Sequence, residues 1–424
     1  MSETVFMFGA GINRILINDG LQPPLATDFF QQIFKQKRST RAEEFFIEER
    51  YLLFGYIERY WKLSIEQLKD KPFDLEECYT LIQLQKIDAE KKGNKDLFNE
   101  LWQIESQLTI LFAEYLANFH LPYNLDFHKP DVSKPFHLLG EVIYKEKATV
   151  ITFNYDTLLE GVIQNASDAN QNSPKNLTDV LFRRIEVTDE TIAYSHHNWN
   201  IPLAYGIEFD EVQLYIAGGP LYVSGERFYS HPQNQIYGNP FLKLHGSVNW
   251  FTFSGNKIPG WSGGWTEQLG VEADFPHAIE NARDRTGKTV LVKGSWYGND
   301  LPQHKGEFLN PVIITPVLYK DYYQYPFIKM LWDRAYLELS NCKRLIVGGY
   351  SFPPTDFHTK RLFLETFADR SPEEIIVINP VEEVIKTVKE LCNFKKPVKH
   401  CRDLVEFCKL DEFSYLHEDK IRGF

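Results

Sequence analysis

The chain lacks the features that would put it in a membrane or on a nucleic acid. No apolar run approaches the ~20 residues that a membrane-spanning helix requires. Met1 to Phe8 has neither the basic start nor the long apolar centre of a secretory signal. Lys and Arg number 46 against 58 Asp and Glu, and the net charge of −12 argues against a protein whose main task is gripping a phosphate backbone. Cysteine is scarce, and Cys78, Cys342, Cys392, Cys401 and Cys408 form no C-x-x-C pair, so no zinc ribbon is expected. The odd count suits a reducing compartment. His196 and His197 could suggest a metal pair, but neighbours on a strand face opposite ways and no third ligand lies at useful spacing. These absences predict a soluble, cytoplasmic, metal-free protein.

What remains is a chain of 424 residues, ample for one large or two ordinary domains, with 32 Phe and 22 Tyr that suggest aromatic packing or sizeable interfaces. Short β-forming runs ending in glycine or small polar residues alternate with helical patterns, which predicts a parallel sheet. Thr4 to Phe8 runs into Gly9-Ala10-Gly11, with Asn13 just beyond. Closely spaced glycines between a strand and a helix let the backbone approach a pyrophosphate, although the full G-x-G-x-x-G is missing. Ala148 to Phe153 ends at Asn154-Tyr155-Asp156. Packing asks for nothing polar there, but either Asn154 or Asp156 could cap the helix starting near Thr157. Phe241 to Leu244 ends at His245-Gly246, where a histidine is placed as a general acid or base. Asn310 to Pro316 resumes as a strand, Phe327 to Leu339 reads as an amphipathic helix, and Arg344 to Ser351 is a strand ending in Gly349 and Ser351. Glu374 to Pro380 ends in Asn379, and Lys396 to His400 leads into Cys401-Arg402 and a short helix. In a parallel sheet these ends share one edge, so they predict a nucleotide site with a catalytic pair.

Thr152-Phe-Asn-Tyr-Asp156, Leu244-His-Gly-Ser247, Gly349-Tyr-Ser351 and Ile378-Asn379, following Gly9-Ala-Gly11 in order, resemble the motifs of the sirtuins, and more closely the sirtuin-like NAD-consuming effectors of bacterial anti-phage defence. The resemblance covers roughly half the chain, its Rossmann-like parts. It implies an NAD glycohydrolase releasing nicotinamide and ADP-ribose, in which Asn154 positions the nicotinamide ribose and attacking water. Asp156 would hold the carboxamide and His245 act as base. Gly9, Ala10, Gly11, Asn13, Gly349, Ser351, Asn379, Cys401 and Arg402 would line the rest of the NAD site. It also implies a toxic effector that depletes NAD and a separate protein partner, a HerA-type ATPase ahead of a short Argonaute, while the high aromatic content and a helical insertion point to a homo-oligomer.

The resemblance has gaps. Asn18 to Pro24 stands where sirtuins carry Gly-Ile-Pro-Asp-Phe-Arg, and the zinc-ribbon cysteines are absent, which weakens a deacylase reading. An NAD-dependent deacylase or ADP-ribosyltransferase, and a non-catalytic module sensing NAD or ADP-ribose, remain the alternatives. The expected architecture is a discontinuous sirtuin-like Rossmann core over 1–27 and 136–424, with helices on both faces. Irregular insertions lie near 165–237 and 254–306, and apolar residues at helical spacing from Phe45 to Tyr115 mark a helical insertion over 28–135.

Overall fold

The computed structural model describes residues 3–16, 21–36, 38–117, 134–170, 203–216, 219–226, 239–253, 289–292, 303–304, 307–315, 325–353 and 356–413. In chain order its strands are β1 (Thr4–Phe8), β2 (Thr149–Thr152), β3 (Leu203–Ala204), β4 (Glu211–Ile216), β5 (Gly219–Ser224), β6 (Asn239–Lys243), β7 (Gly246–Phe253), β8 (Thr289–Val292), β9 (Gln303–His304), β10 (Glu307–Ile313), β11 (Arg344–Gly348), β12 (Glu374–Ile378) and β13 (Lys399–Cys401). The helices are α1 (Phe29–Lys35), α2 (Thr40–Glu48), α3 (Tyr51–Trp61), α4 (Ile65–Asp70), α5 (Leu75–Lys91), α6 (Lys95–Ala117), α7 (Lys134–Lys145), α8 (Leu158–Asn170), α9 (Pro326–Asn341), α10 (Phe357–Thr366), α11 (Glu383–Leu391) and α12 (Leu404–Cys408).

Seven strands form a parallel sheet in the order β13-β12-β11-β1-β2-β6-β3. The central strands β1 and β2 are buried at every residue, and β11 and β12 at all but the first. Side chains alternate between faces, so burial at every position means that both faces are covered, as continuous runs such as Val5-Phe6-Met7-Phe8 require. The protein is thus an α/β fold. From β1 the chain moves outward through β2 to β6, and it returns on the other side of β1 at β11. The direction of winding reverses between β1 and β11, where open α/β sheets bind ligands at the carboxyl ends of their strands.

Helices α1 to α6 pack around an aromatic core that includes Phe29, Phe30, Phe54, Tyr79 and Phe112. Ends are fixed locally: Asp74 accepts from the amides of Glu76 and Glu77 to cap α5, and Ser64 and Gln67 form a reciprocal box at α4. The same core takes in Val248 of β7, Ile313 of β10 and the flank of Tyr155. The helical layer therefore reaches the loop that follows β2.

Asn310 to Pro316 corrects the sequence reading. Its strand, β10, does not join the parallel sheet but pairs antiparallel with β7 in a second sheet of order β5-β4-β8-β7-β10-β9. A short apolar run looks the same in either setting; between β6 and β7 the chain turns at Gly246, whose φ is +83°. Parts of both segments read as irregular insertions thus form ordered strands. His196 and His197 lie outside the described residues. The five cysteines are buried free thiols, as small buried residues would be.

Candidate active site

At the switch point the glycines first serve packing. The Gly9 amide donates to the Gly348 carbonyl at 3.0 Å and the Gly11 amide to the Gly349 carbonyl at 2.9 Å. A Cβ on Gly11 would lie 2.7 Å from the Gly349 oxygen, and one on Gly349, where φ is +61°, would lie 1.9 Å from the Ile12 nitrogen. The loops after β1 and β11 are seated on each other, and only glycine permits it. Toward solvent they present Ala10, which is exposed, and Gly11, half-buried, at the start of a short 3-10 turn over Ala10–Ile15.

That turn carries Asn13 toward the end of β2. Asn13 Nδ2 donates to Asp156 Oδ2 at 2.7 Å, and the Leu158 amide donates to Asp156 Oδ1 at 3.1 Å. Asp156 therefore caps α8 with one oxygen and binds Asn13 with the other. Burial raises its carboxyl pKa, opposed by the Lys243 ammonium. Lys243 is fully buried, donates to the Asp156 carbonyl, and pairs with Glu160 Oε1 at 2.8 Å. Tyr205 adds its hydroxyl to Glu160 at 3.4 Å.

Both Asp156 oxygens make internal bonds, whereas the Asn154 side chain is open to a ligand. Its backbone amide donates to Thr152 Oγ1 at 3.1 Å, while the side chain is 4% exposed with neither Oδ1 nor Nδ2 paired. Asn13 Oδ1, in a residue 1% exposed, is also unpaired. Buried amides of this kind each cost roughly 1–3 kcal/mol unless something completes them.

His245 closes the site from β6. Its ring sits 5.1 Å from Phe153, 6.0 Å from Tyr155 and 6.3 Å from Trp332, the aromatic neighbours on either side of Asn154 being two of the three. Trp332 is pinned by its Nε1, which donates to the Leu244 carbonyl at 3.1 Å. Tyr350 stacks on Phe153 with ring centres 4.5 Å apart. Across the histidine lies the buried Asp356, its Oδ2 3.8 Å from His245 Nε2.

The remaining candidates fall along the same edge with differing fates. Ser351 is exposed, following Tyr350 out of β11. Asn379 is engaged internally: its Oδ1 accepts from the Val381 amide at 2.9 Å and its Nδ2 donates to the Tyr350 carbonyl at 3.2 Å. Cys401 is buried, its carbonyl accepting from the Asn379 amide at 2.9 Å, and Arg402 is exposed with its guanidinium 3.8 Å from Glu406. Sequence reasoning missed Lys243, Glu160, Tyr350, Trp332 and Asp356. Lys243 carried a signal, being a charge inside an apolar strand two residues before His245. Among the described residues no three His, Cys, Asp or Glu side chains come together as a metal site.

No family model matches the chain, and no curated protein matches it. Among solved structures it is similar to a mutant Sir2 homologue in complex with ADP-ribose, at 13% identity and a TM-score of 0.36, over 100% of this chain and 95% of that one. A superposition this loose decides nothing about the site.

Proposed function

We propose that the chain is an NAD glycohydrolase, cleaving NAD to nicotinamide and ADP-ribose at the edge where β1, β2, β6 and β11 end. The observation that carries this reading is the Asn154 amide, buried and unpaired at both atoms, in the loop whose Phe153 and Tyr155 rings flank the candidate base His245. A ribose hydroxyl and a water molecule are the donor and acceptor such an amide needs. His245 would take the proton of the attacking water, and the departing pyridinium already carries positive charge, so orientation and charge stabilisation supply much of the catalysis. Asn13 Oδ1 offers a second acceptor toward the ribose or amide of the substrate.

The order of the sequence motifs supports a finer reading. The enzyme would deplete cytoplasmic NAD as the effector of an anti-phage system, as a homo-oligomer restrained or triggered by a separate HerA-type ATPase.

The test is NAD turnover by the purified protein, alone and with the ATPase, following nicotinamide by chromatography. Wild type should release nicotinamide and ADP-ribose in equal amounts. Asn154→Ala and His245→Ala should each lose about 10²-fold or more while keeping their melting transitions. A wild type that binds NAD under both conditions and never cleaves it would sink the hydrolase reading in favour of a nucleotide sensor.

A further inference from the structure

Asp356 belongs to no motif legible in the sequence, yet its placement is unusual for a residue of its kind. It is the N-cap of α10, its carbonyl accepting from the Lys360 amide at 3.3 Å, while its own amide donates to the Pro353 carbonyl at 2.9 Å. An aspartate there ordinarily turns its carboxylate onto the first free amides of the helix, a bond worth about 1 kcal/mol. Asp356 makes no such bond. Its Oδ2 accepts instead from the hydroxyls of Tyr350 and, at 2.9 Å, Thr359, and faces His245 Nε2 at 3.8 Å. Side chains on both sides of that gap are almost wholly withdrawn from water, at 7% and 3% exposure. The separation is longer than a hydrogen bond and short enough for a strong Coulomb interaction in such surroundings.

We propose that Asp356 is a positioning residue for His245, which holds the imidazole against the substrate and stabilises the imidazolium formed when it takes a proton. The inference rests on the reading of His245 as the base. The proton moves from the attacking water to the imidazole, while the Asp356 carboxylate is held in place by the two hydroxyls. Other titratable or charged groups around the histidine come from several elements. Tyr155 lies beside its ring, Tyr350 reaches it through Asp356, and His358 stands across Trp332. Asp156, Lys243 and Glu160 form their own buried set beneath the loop after β2, and Glu76 of α5 acts on Tyr155. Among these described residues, Asp356 is the anion paired with the imidazole.

The test is an NMR titration of the His245 ring in the full-length protein, wild type beside Asp356→Asn and Tyr350→Phe. Asp356→Asn keeps the shape of the side chain and should move the midpoint down by about one pH unit or more. Tyr350→Phe removes a hydrogen bond that draws charge away from the carboxylate facing the imidazole and should move the midpoint up, so that a poorly folding Asp356→Asn still leaves a decisive variant. Unmoved midpoints would overturn the proposal. Where wild type cleaves NAD, the acid limb of kcat/KM in Asp356→Asn should shift down with the titration, with kcat falling more than KM rises. A wild type that binds NAD, alone and with the ATPase, and never cleaves it would defeat the hydrolase reading, and the titration would still decide the pairing.

Discussion

At the scale of single residues the site is a contrast between polar groups that are satisfied and those that are not. Asp156 and Lys243 are bonded within the protein, and those bonds hold the loop that presents Asn154. Lys243 is the residue on which this depends, because its ammonium ties the Asp156 carbonyl to Glu160 with no solvent present. Lys243→Met should strand the Glu160 carboxylate and cost roughly 3–5 kcal/mol in urea denaturation. The double variant Lys243→Met with Glu160→Leu removes the stranded charge and should recover much of that loss. A double variant no more stable than the single would show that the pair is not the source. The sequence made Asn154, Asp156 and His245 visible because small polar groups at the ends of apolar strands have no packing reason to be there. Asp356 was invisible, since it follows two prolines in a loop and meets His245 only through a fold spanning more than a hundred residues.

At the scale of elements, strands were legible where burial is local and pairing was not. Runs such as Arg344 to Gly348 and Glu374 to Ile378 are apolar at nearly every position, which only a sheet covered on both faces tolerates. β10 pairs with β7 at Gly246, where a Cβ would lie 2.1 Å from the Val312 carbonyl oxygen, a close approach that hydrophobic pattern does not report. The loops after β1 and β11 make a sharper claim about their glycines. Gly349→Ala combines a left-handed φ with a Cβ inside the Ile12 backbone, and should cost about 3 kcal/mol or more, or prevent folding. Gly93, between α5 and α6, has a similar φ of +66° with nothing within 4 Å of a new Cβ. Gly93→Ala should cost only about 1 kcal/mol by the same denaturation measurement, the strain alone. Equal losses at the two sites would mean that the interlock of the two loops contributes nothing.

For the molecule as a whole, buried carboxylates set how stability responds to pH. Glu114 pairs with Arg50 at 2.9 Å inside the helical layer, and burial pushes its carboxyl up to about 7 despite that partner. Burial also raises Glu49, Asp156 and Glu160. A carboxyl whose folded pKa exceeds its unfolded value binds more protons in the folded state between the two values. Its contribution is therefore greatest at low pH, declines as pH rises from near 4.5 toward 7, and is level above. Glu374 runs the other way. Burial alone would raise it, but bonds from Lys399 and Arg344 outweigh that and lower it, so its contribution is lost only below the range in question. Wild type should accordingly resist urea better at pH 5.5 than at pH 8. Glu114 should supply at most on the order of 2 kcal/mol of that difference, since its side chain keeps 14% of its surface in water. Glu114→Gln should flatten the profile by that amount. An unchanged slope would place the titrating group elsewhere, with the Asp156–Glu160 cluster under the active-site loop next to be tested, so that the same acidification that firms the fold would also be felt where Asn154 is held.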